Sequence, residues 1–375
     1  MKRQAKLILF VSLIPISILV SLVNGMVSKP LVNPDFDPTK PHHRKDGFAN
    51  RYLDRMQERK QRPNVFKWMI NRKLEKRPPP RPGLITGVAP NLPLIHQTTE
   101  AVRVTWVGHS TLLLQIDGVN ILTDPIWSQR ASPLASVGPK RHQPPGIGFA
   151  ELPHIDLVLI SHNHYDHLDE PTVQRLMNQP GGSPQFIVPL GVNYWFRDSI
   201  KGAVIAGSGQ NVQALDWDQS SQIAGKTAPI TIEFLAVQHW SARGLNDRYA
   251  TLWGSYAILH PKFKFWFAGD LGYSKDSQDI GARIGGFDLA AIPIGAYDPA
   301  YIMKKSHINP SEAVQVFKDV QAKQAFGIHW GTFEGLTDEP LDEPPQRLAK
   351  AREEGGLAEN QFFVLKHGET FVEPR

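Results

Sequence analysis

The chain has 375 residues, 41% hydrophobic and 21% charged, enough for a large core and ordinary for a globular protein. It contains no cysteine, which excludes disulfides, a thiolate nucleophile and any cysteine-ligated zinc site. The net charge of +5 hides a division: residues 1–81 carry 18 Lys and Arg against 6 Asp and Glu, and the rest carry 23 against 30.

At the N-terminus, Lys2, Arg3 and Lys6 precede LILFVSLIPISILVSLV (7–23), seventeen residues without a charge. A basic start followed by an apolar run is the pattern of a signal peptide or an N-terminal membrane anchor over residues 1–25. The run is long for a signal core and short for a membrane span. Val23-Asn24-Gly25 is a poor cleavage sequence, which favours the anchor. Lys and Arg thin out just beyond the run, so the remainder is expected on the extracytoplasmic side, membrane-anchored or exported.

Residues 26–100 read as a basic, proline-rich linker and N-terminal extension. Within it Asn50–Lys76 has the composition of a basic helix with Phe66, Trp68 and Ile70 as apolar anchors, and RPPPRPG (77–83) ends it. Such an arm suits an anionic membrane surface. It lacks interleaved aromatics and any recognition motif, so nucleic acid is not an expected partner.

A folded domain is expected over 101–375. AVRVTWVG, TLLLQIDG and VNILTDP open it as short strands punctuated by Gly and Asp-Pro. Further strands are expected at IDLVLIS (155–161), QFIVPL (185–190), ITIEFLAV (230–237), LWGSYAILH (252–260), FKFWFAGD (263–270) and DLAAIPIG (288–295). Helices interrupt them at PTVQRLMNQPGG (171–182), capped by Asp169, and at NPSEAVQVFKDVQAK (309–323). In the second, Asn309, Pro310 and Glu312 form a capping-box pattern. Many strands with few helices predict an α+β protein of two helix-covered sheets.

Metal-capable side chains gather where these strands end. SHNHYDHLD (161–169) sets His162, His164, Asp166 and His167 behind IDLVLI. His239 follows ITIEFLAVQ, Asp270 follows FKFWFAG and His329 follows QAFGI. Strand ends share an edge, where rigid backbone can converge ligands from distant parts of the chain. Five histidines and two aspartates suffice for two metal ions with three terminal ligands each and one bridging carboxylate. Without cysteine, Zn²⁺, Fe and Mn are the candidates. A histidine nucleophile of the H-x-K-x4-D type is excluded, because His260 and Lys262 begin that pattern but Phe267 occupies the Asp position.

Together with AGD (268–270) and GIHWG (327–331), this motif resembles the metallo-β-lactamase superfamily. VTWVGHSTLLLQIDGVNILTDPIWSQRASP, GPKR (138–141), FAGDLGY and IHWGTFE are similar to its branch of N-acyl-phosphatidylethanolamine-hydrolysing phospholipase D enzymes and their bacterial relatives. The resemblance spans roughly residues 64–370 and implies a four-layered αβ/βα sandwich with the site at one edge of the two sheets. It implies two Zn²⁺ per chain, one on His162, His164 and His239 and the other on Asp166, His167 and His329, with Asp270 bridging.

Asp124, in LTDP, resembles the aspartate that orients a ligand histidine from behind, and is equally an Asp-Pro turn. His109 is expected beside the site without being a ligand. Asp270 and His307 are the expected catalytic residues, His307 meeting the substrate or protonating the leaving group. Trp127, Trp240 and Trp330 flank motif residues and are read as mouth or core. His42, His43, His96, His142, His154, His260 and His367 carry no motif, so surface or structural roles are their default.

The expected reaction is hydrolysis of a phospholipid phosphodiester by a hydroxide held between two metals about 3.5–4 Å apart. Another ester, such as a lactone or sugar-phosphate lactone, and a non-catalytic membrane-tethered metal-binding protein are the alternatives. Membrane association is expected, and both a monomer and a homo-oligomer stay open.

Overall fold

The computed structural model describes residues 32–60, 63–75, 80–97 and 101–373. The apolar segment 7–23, with the anchor or signal expected there, lies outside the described residues. Among those described, no helix is long and apolar enough to cross a membrane.

Ahead of the domain, His43–Arg44 pairs antiparallel with Gly47–Phe48. Two helices follow, α1 Arg55–Lys60 and α2 Val65–Leu74, where the sequence predicts one over Asn50–Lys76. Pro63 accounts for the break, since its ring cannot continue a helix. Asn64 then restarts the chain as an N-cap, its side chain accepting from the Lys67 N–H.

Two seven-stranded sheets follow. The first contains β1 Arg103–Gly108, β2 Thr111–Ile116, β3 Val119–Thr123, β4 Leu157–Leu159, β5 Gln185–Pro189 and β6 Val212–Leu215 in chain order. Thr370–Val372, near the C-terminus, pairs against β1 and completes it. The second contains, also in chain order, β7 Ser220–Ala224, β8 Pro229–Leu235, β9 Ser255–His260, β10 Phe263–Phe267, β11 Phe287–Pro293, β12 Ala322–Ile328 and β13 Phe362–Val364.

The two sheets share one construction. Three antiparallel pairings, ending with β2 on β3 and with β9 on β10, give way to three parallel ones. Parallel neighbours need crossovers, and helices supply most of them. Two serve the first sheet, α3 Glu170–Met177 and α4 Val192–Ser199. Three serve the second, α5 Asp276–Ile284, α6 Pro310–Asp319 and α7 Glu343–Glu354.

Alternation along the strands sets the layers. Leu112, Leu114, Ile121 and Leu159 join one apolar cluster with Phe234, Tyr256 and Trp266 of the second sheet. Their neighbours Leu113, Leu122 and Val158 join another with Val173 and Leu176 of α3 and Phe196 of α4. Ile280, Phe317 and Leu348 bring α5, α6 and α7 into the first of these clusters. Each large apolar side chain so buried contributes about 1.5–3 kcal/mol relative to exposure.

A polar contact ties residues 33–50 to this body. Lys40 Nζ donates to Asp216 Oδ2 at 2.7 Å, His42 Nε2 lies 2.7 Å from Asp216 Oδ1, and His43 Nε2 lies 3.1 Å from Oδ2. His42 also stacks on Trp217, with ring centroids 4.5 Å apart, and Phe48 is fully buried. Burial opposes charge on Asp216, yet the hydrogen bonds from His42 and Lys40 and the nearby imidazoles hold its pKa below the ordinary value. A depressed carboxylate pKa contributes stability above the unfolded-state value, and that contribution is lost as the pH falls. Asp216→Asn should therefore destabilise the protein at pH 7 by about 2 kcal/mol. The difference from wild type should shrink below about pH 4, where the unfolded carboxylate protonates. Urea unfolding at pH 7 and pH 3 checks this; an equal difference at both would assign the effect to packing.

Candidate metal centre

The structure brings the expected residues to one edge of the two sheets. His162 to His167 follow β4, His239 follows β8, Asp270 follows β10 and His329 follows β12. Several of these turns are strained. His109 (φ 54°), Asp124 (φ 34°) and His329 (φ 64°) occupy the left-handed region, which costs a non-glycine residue on the order of 1–3 kcal/mol. Their contacts hold them there. The His329 N–H donates to the His109 carbonyl at 3.0 Å, and the His109 N–H to Thr332 Oγ1 at 2.7 Å. Gly269 (φ 60°) lets the chain reach Asp270, because a Cβ there would stand 2.8 Å from the Ser161 Cβ.

Four side chains, His162, His164, His239 and Asp270, offer ligand atoms that lie within 4.8 Å of one another. His162 Nε2 is 2.8 Å from His164 Nδ1, which is 3.4 Å from His239 Nε2. His162 Nε2 and His239 Nε2 each lie 3.8 Å from Asp270 Oδ2. A second group within the same limit comprises His109, Asp166, His167 and His329. Asp270 reaches it as well, with Oδ2 at 3.1 Å from His167 Nε2 and Oδ1 at 3.2 Å from His329 Nε2. His109 Nε2 lies 3.0 Å from Asp166 Oδ2, so this residue touches the group directly.

Residues behind the groups aim the rings. Asp124 accepts from the Ser161 N–H at 2.7 Å and its hydroxyl at 2.5 Å, and it lies 2.7 Å from His167 Nδ1, turning Nε2 toward Asp270. His239 Nδ1 is 2.8 Å from the Ser306 carbonyl, which leaves Nε2 facing inward. Asn50 grips the His239 backbone from both sides: its Nδ2 donates to the carbonyl at 2.9 Å and its Oδ1 accepts from the N–H at 3.0 Å. Nothing in the basic arm signals that role. Ser161 is visible in the SHNHYDHLD motif, but its bond to Asp124 needs the fold.

Charge separates within the centre. Burial, reinforced by neighbouring imidazoles, pushes His162 well below the usual histidine range, and burial likewise lowers His239 and takes His164 to about 3. Burial also opposes charge on His167 and His329. There the Asp270 and Asp166 carboxylates prevail, raising His167 and holding His329 at about 9. Asp166 and Asp270 stay ionised against burial because of the same imidazoles. His164 Nε2, His167 Nε2, His329 Nε2 and Asp270 Oδ1 are buried without a well-formed hydrogen bond. Such orphans are costly. The neutral imidazoles of His162, His164 and His239 and the ionised carboxylates of Asp166 and Asp270 fit divalent metal ions, whose binding would release the protons that the carboxylates hold on His167 and His329.

A mouth of about 490 Å³ opens over His164, Asp166, Asp270 and His307. His307 Nδ1, buried and lacking a hydrogen bond, lies 3.8 Å from Asp270 Oδ2, and burial lowers its pKa to about 4. Trp68, Trp240, Ile302 and Met303 give the mouth apolar walls, and Arg243, Arg248 and Lys305 give it positive charge. Trp68 comes from α2, whose indole donates to Asp338 Oδ2 at 2.8 Å. Trp127 is elsewhere, packed on Phe149 with its N–H on the Ile147 carbonyl. Of the histidines without a motif, His42 and His43 hold Asp216, and His367 packs against Trp106 and Thr332.

Residues 119–330 match the family model of the beta-lactamase superfamily domain. The chain is 42% identical over 272 residues to N-acyl-phosphatidylethanolamine-hydrolyzing phospholipase D 1 of Caenorhabditis elegans, covering 71% of this chain and 74% of that protein. It is 35% identical over 261 residues to the mitochondrial N-acyl-phosphatidylethanolamine-hydrolyzing phospholipase D of Saccharomyces cerevisiae, covering 69% of this chain and 53% of that protein. Among solved structures, Igni18, a metallo hydrolase from Ignicoccus hospitalis, aligns with a TM-score of 0.53 at 21% identity. That alignment covers 73% of this chain and 99% of Igni18, a likeness of fold. The chain thus belongs to the metallo-β-lactamase superfamily, on the branch of the N-acyl-phosphatidylethanolamine-hydrolysing phospholipases D, and is a metal-dependent hydrolase.

Proposed function

We propose that the protein is a binuclear zinc phosphodiesterase of phospholipase D type, acting on N-acyl-phosphatidylethanolamine or a related phospholipid at a membrane. The mouth carries this reading. A phosphodiester with acyl chains needs cations and apolar walls side by side, and Arg243, Arg248 and Lys305 stand among Trp68, Trp240, Ile302 and Met303 beside Asp270. Exposed Ile70, Leu245 and Tyr301, close in sequence to mouth residues, suit a lipid surface. The apolar segment 7–23 would then tether the domain on the extracytoplasmic side.

His162, His164 and His239 would hold one ion and Asp166, His167 and His329 the other, with Asp270 shared between them. Bound zinc supplies Lewis acidity and lowers the pKa of an attacking water to near neutrality. The remaining work belongs to the chain. Asp124 fixes the tautomer of His167 through Nδ1, and the Ser306 carbonyl does the same for His239. Arg243 is held by the Asn163 and Leu168 carbonyls at 3.0 and 2.8 Å, so its charge is fixed before substrate arrives. His307, neutral at physiological pH, presents a ring nitrogen to the leaving oxygen. Trp240 and Trp68 keep water from the acyl side.

The full-length protein in detergent should carry two zinc equivalents. It should release N-acylethanolamine and phosphatidate from N-acyl-phosphatidylethanolamine until a chelator is added. Turnover confined to lactones or other esters would replace the phospholipase reading. Asp270→Asn should cut turnover by about 10²–10³-fold or more while circular dichroism still reports a folded protein, whereas a non-catalytic metal-binding protein would show no turnover to lose. Asp124→Ala and Asn50→Ala should each weaken one of the two metal equivalents by about tenfold or more, read by chelator competition. Equal loss of both equivalents from either variant would contradict the assignment of Asp124 and Asn50 to different ions.

A further inference from the structure

A second cleft, of about 1110 Å³, meets the centre at His109 and His329. Arg81, Arg130 and Lys140 line it, with Trp330, Phe333 and Leu336 as apolar wall. Its acidic residues are engaged. Asp338 pairs with Arg72 at 3.3 Å, and Glu334 lies 2.9 Å from His142 Nδ1. Glu339 accepts from the N–H groups of Ala296 and Asp298 and from the Thr337 hydroxyl. Three cations are not engaged in this way. Arg130 donates to the Gly138 carbonyl at 2.6 Å, and among the described residues neither it nor Arg81 nor Lys140 meets a carboxylate.

The GPKR segment builds this wall. Arg130 and Lys140 are paired by a β-bridge. Next to them Arg141 is buried and donates to the Ile126 and Ser128 carbonyls at 2.8 and 3.0 Å, so its charge is spent on shape. Lys140 contributes nothing to the metal groups, and its segment has no part in the chemistry described above.

We propose that this cleft binds a phosphomonoester dianion beside the metal centre. A phosphodiester carries a single negative charge, whereas a monoester carries about −1.5 to −2 at pH 7. Three unpaired cations therefore favour the phosphate of a product over that of a substrate. The apolar wall matches phosphatidate, which the proposed reaction releases; free phosphate shares the head-group chemistry. The lipid source rests on the phospholipase reading, while the phosphate site does not.

The test is equilibrium binding of inorganic phosphate, and separately of dioctanoyl phosphatidate below its micellar concentration, to the full-length metal-loaded protein. Arg130→Gln/Lys140→Gln should lower affinity for one class of sites by at least about tenfold. The charge-matched Lys201→Gln/Lys262→Gln should not, and added salt should weaken wild-type binding. Unchanged binding of both ligands in the first variant, with metal content retained, overturns the proposal. If that variant does not fold, Arg81→Gln takes its place under the same criterion. Loss for both ligands assigns the site to the lipid head group, and loss for inorganic phosphate alone to the free anion. Phosphate loss in a protein that leaves N-acyl-phosphatidylethanolamine intact would remove the phospholipase reading and keep the cleft.

Discussion

The carboxylate of Asp270 is the constraint on which the rest turns. A buried anion costs several kcal/mol unless its surroundings compensate, and here His167 and His329 approach its two oxygens from different sheets. The fold must bring the end of β10 against the ends of β4 and β12 for that compensation to exist. Gly269 permits the approach, and the left-handed turns at His109 and His329 complete it.

The two sheets repeat one plan, and the centre falls where the plan changes. In each, a single strand divides antiparallel pairing from parallel pairing: β3 in the first, β10 in the second. Each is followed closely by a buried aspartate, Asp124 and Asp270. The two have opposite tasks. Asp124 faces Ser161 and His167 Nδ1 from behind, and burial lifts its pKa. Asp270 faces the inward nitrogens and stays ionised. Equivalent positions thus supply a support on one side and, on the other, a carboxylate that reaches both groups of metal-capable side chains.

The centre was legible because its residue types are rare and sit at the ends of apolar strands. His162, His164, Asp166, His167, His239, Asp270 and His329 need only strand periodicity and metal chemistry to be grouped. What escaped lacks such a signal. β7, SSQIA, is polar with alternating exposure, and β13 and Thr370–Val372 are three residues each, too short for a pattern. α7, EPPQRLAKAREE, has a single large apolar side chain and buries only Pro344, Leu348 and Ala351. α4 begins at Gly191 without a side-chain cap. Asn50 is invisible for another reason: its partner is backbone 189 residues away, and an asparagine at the start of a stretch rich in charged residues reads as solvent-facing.

Residues 33–50 act as a strap, and the grip of Asn50 on His239 places that strap in mechanical series with one residue of the candidate centre. Asp216 fastens the strap at His42 and His43, Phe48 seats it, and the next contact is the His239 backbone itself. A protease cut, a bulky fusion or a sustained pull applied ahead of residue 40 would load Asp216, at the end of β6, and through Asn50 the His239 backbone. A change at the outermost edge of the fold thereby bears on the placement of a histidine that lies buried at its centre.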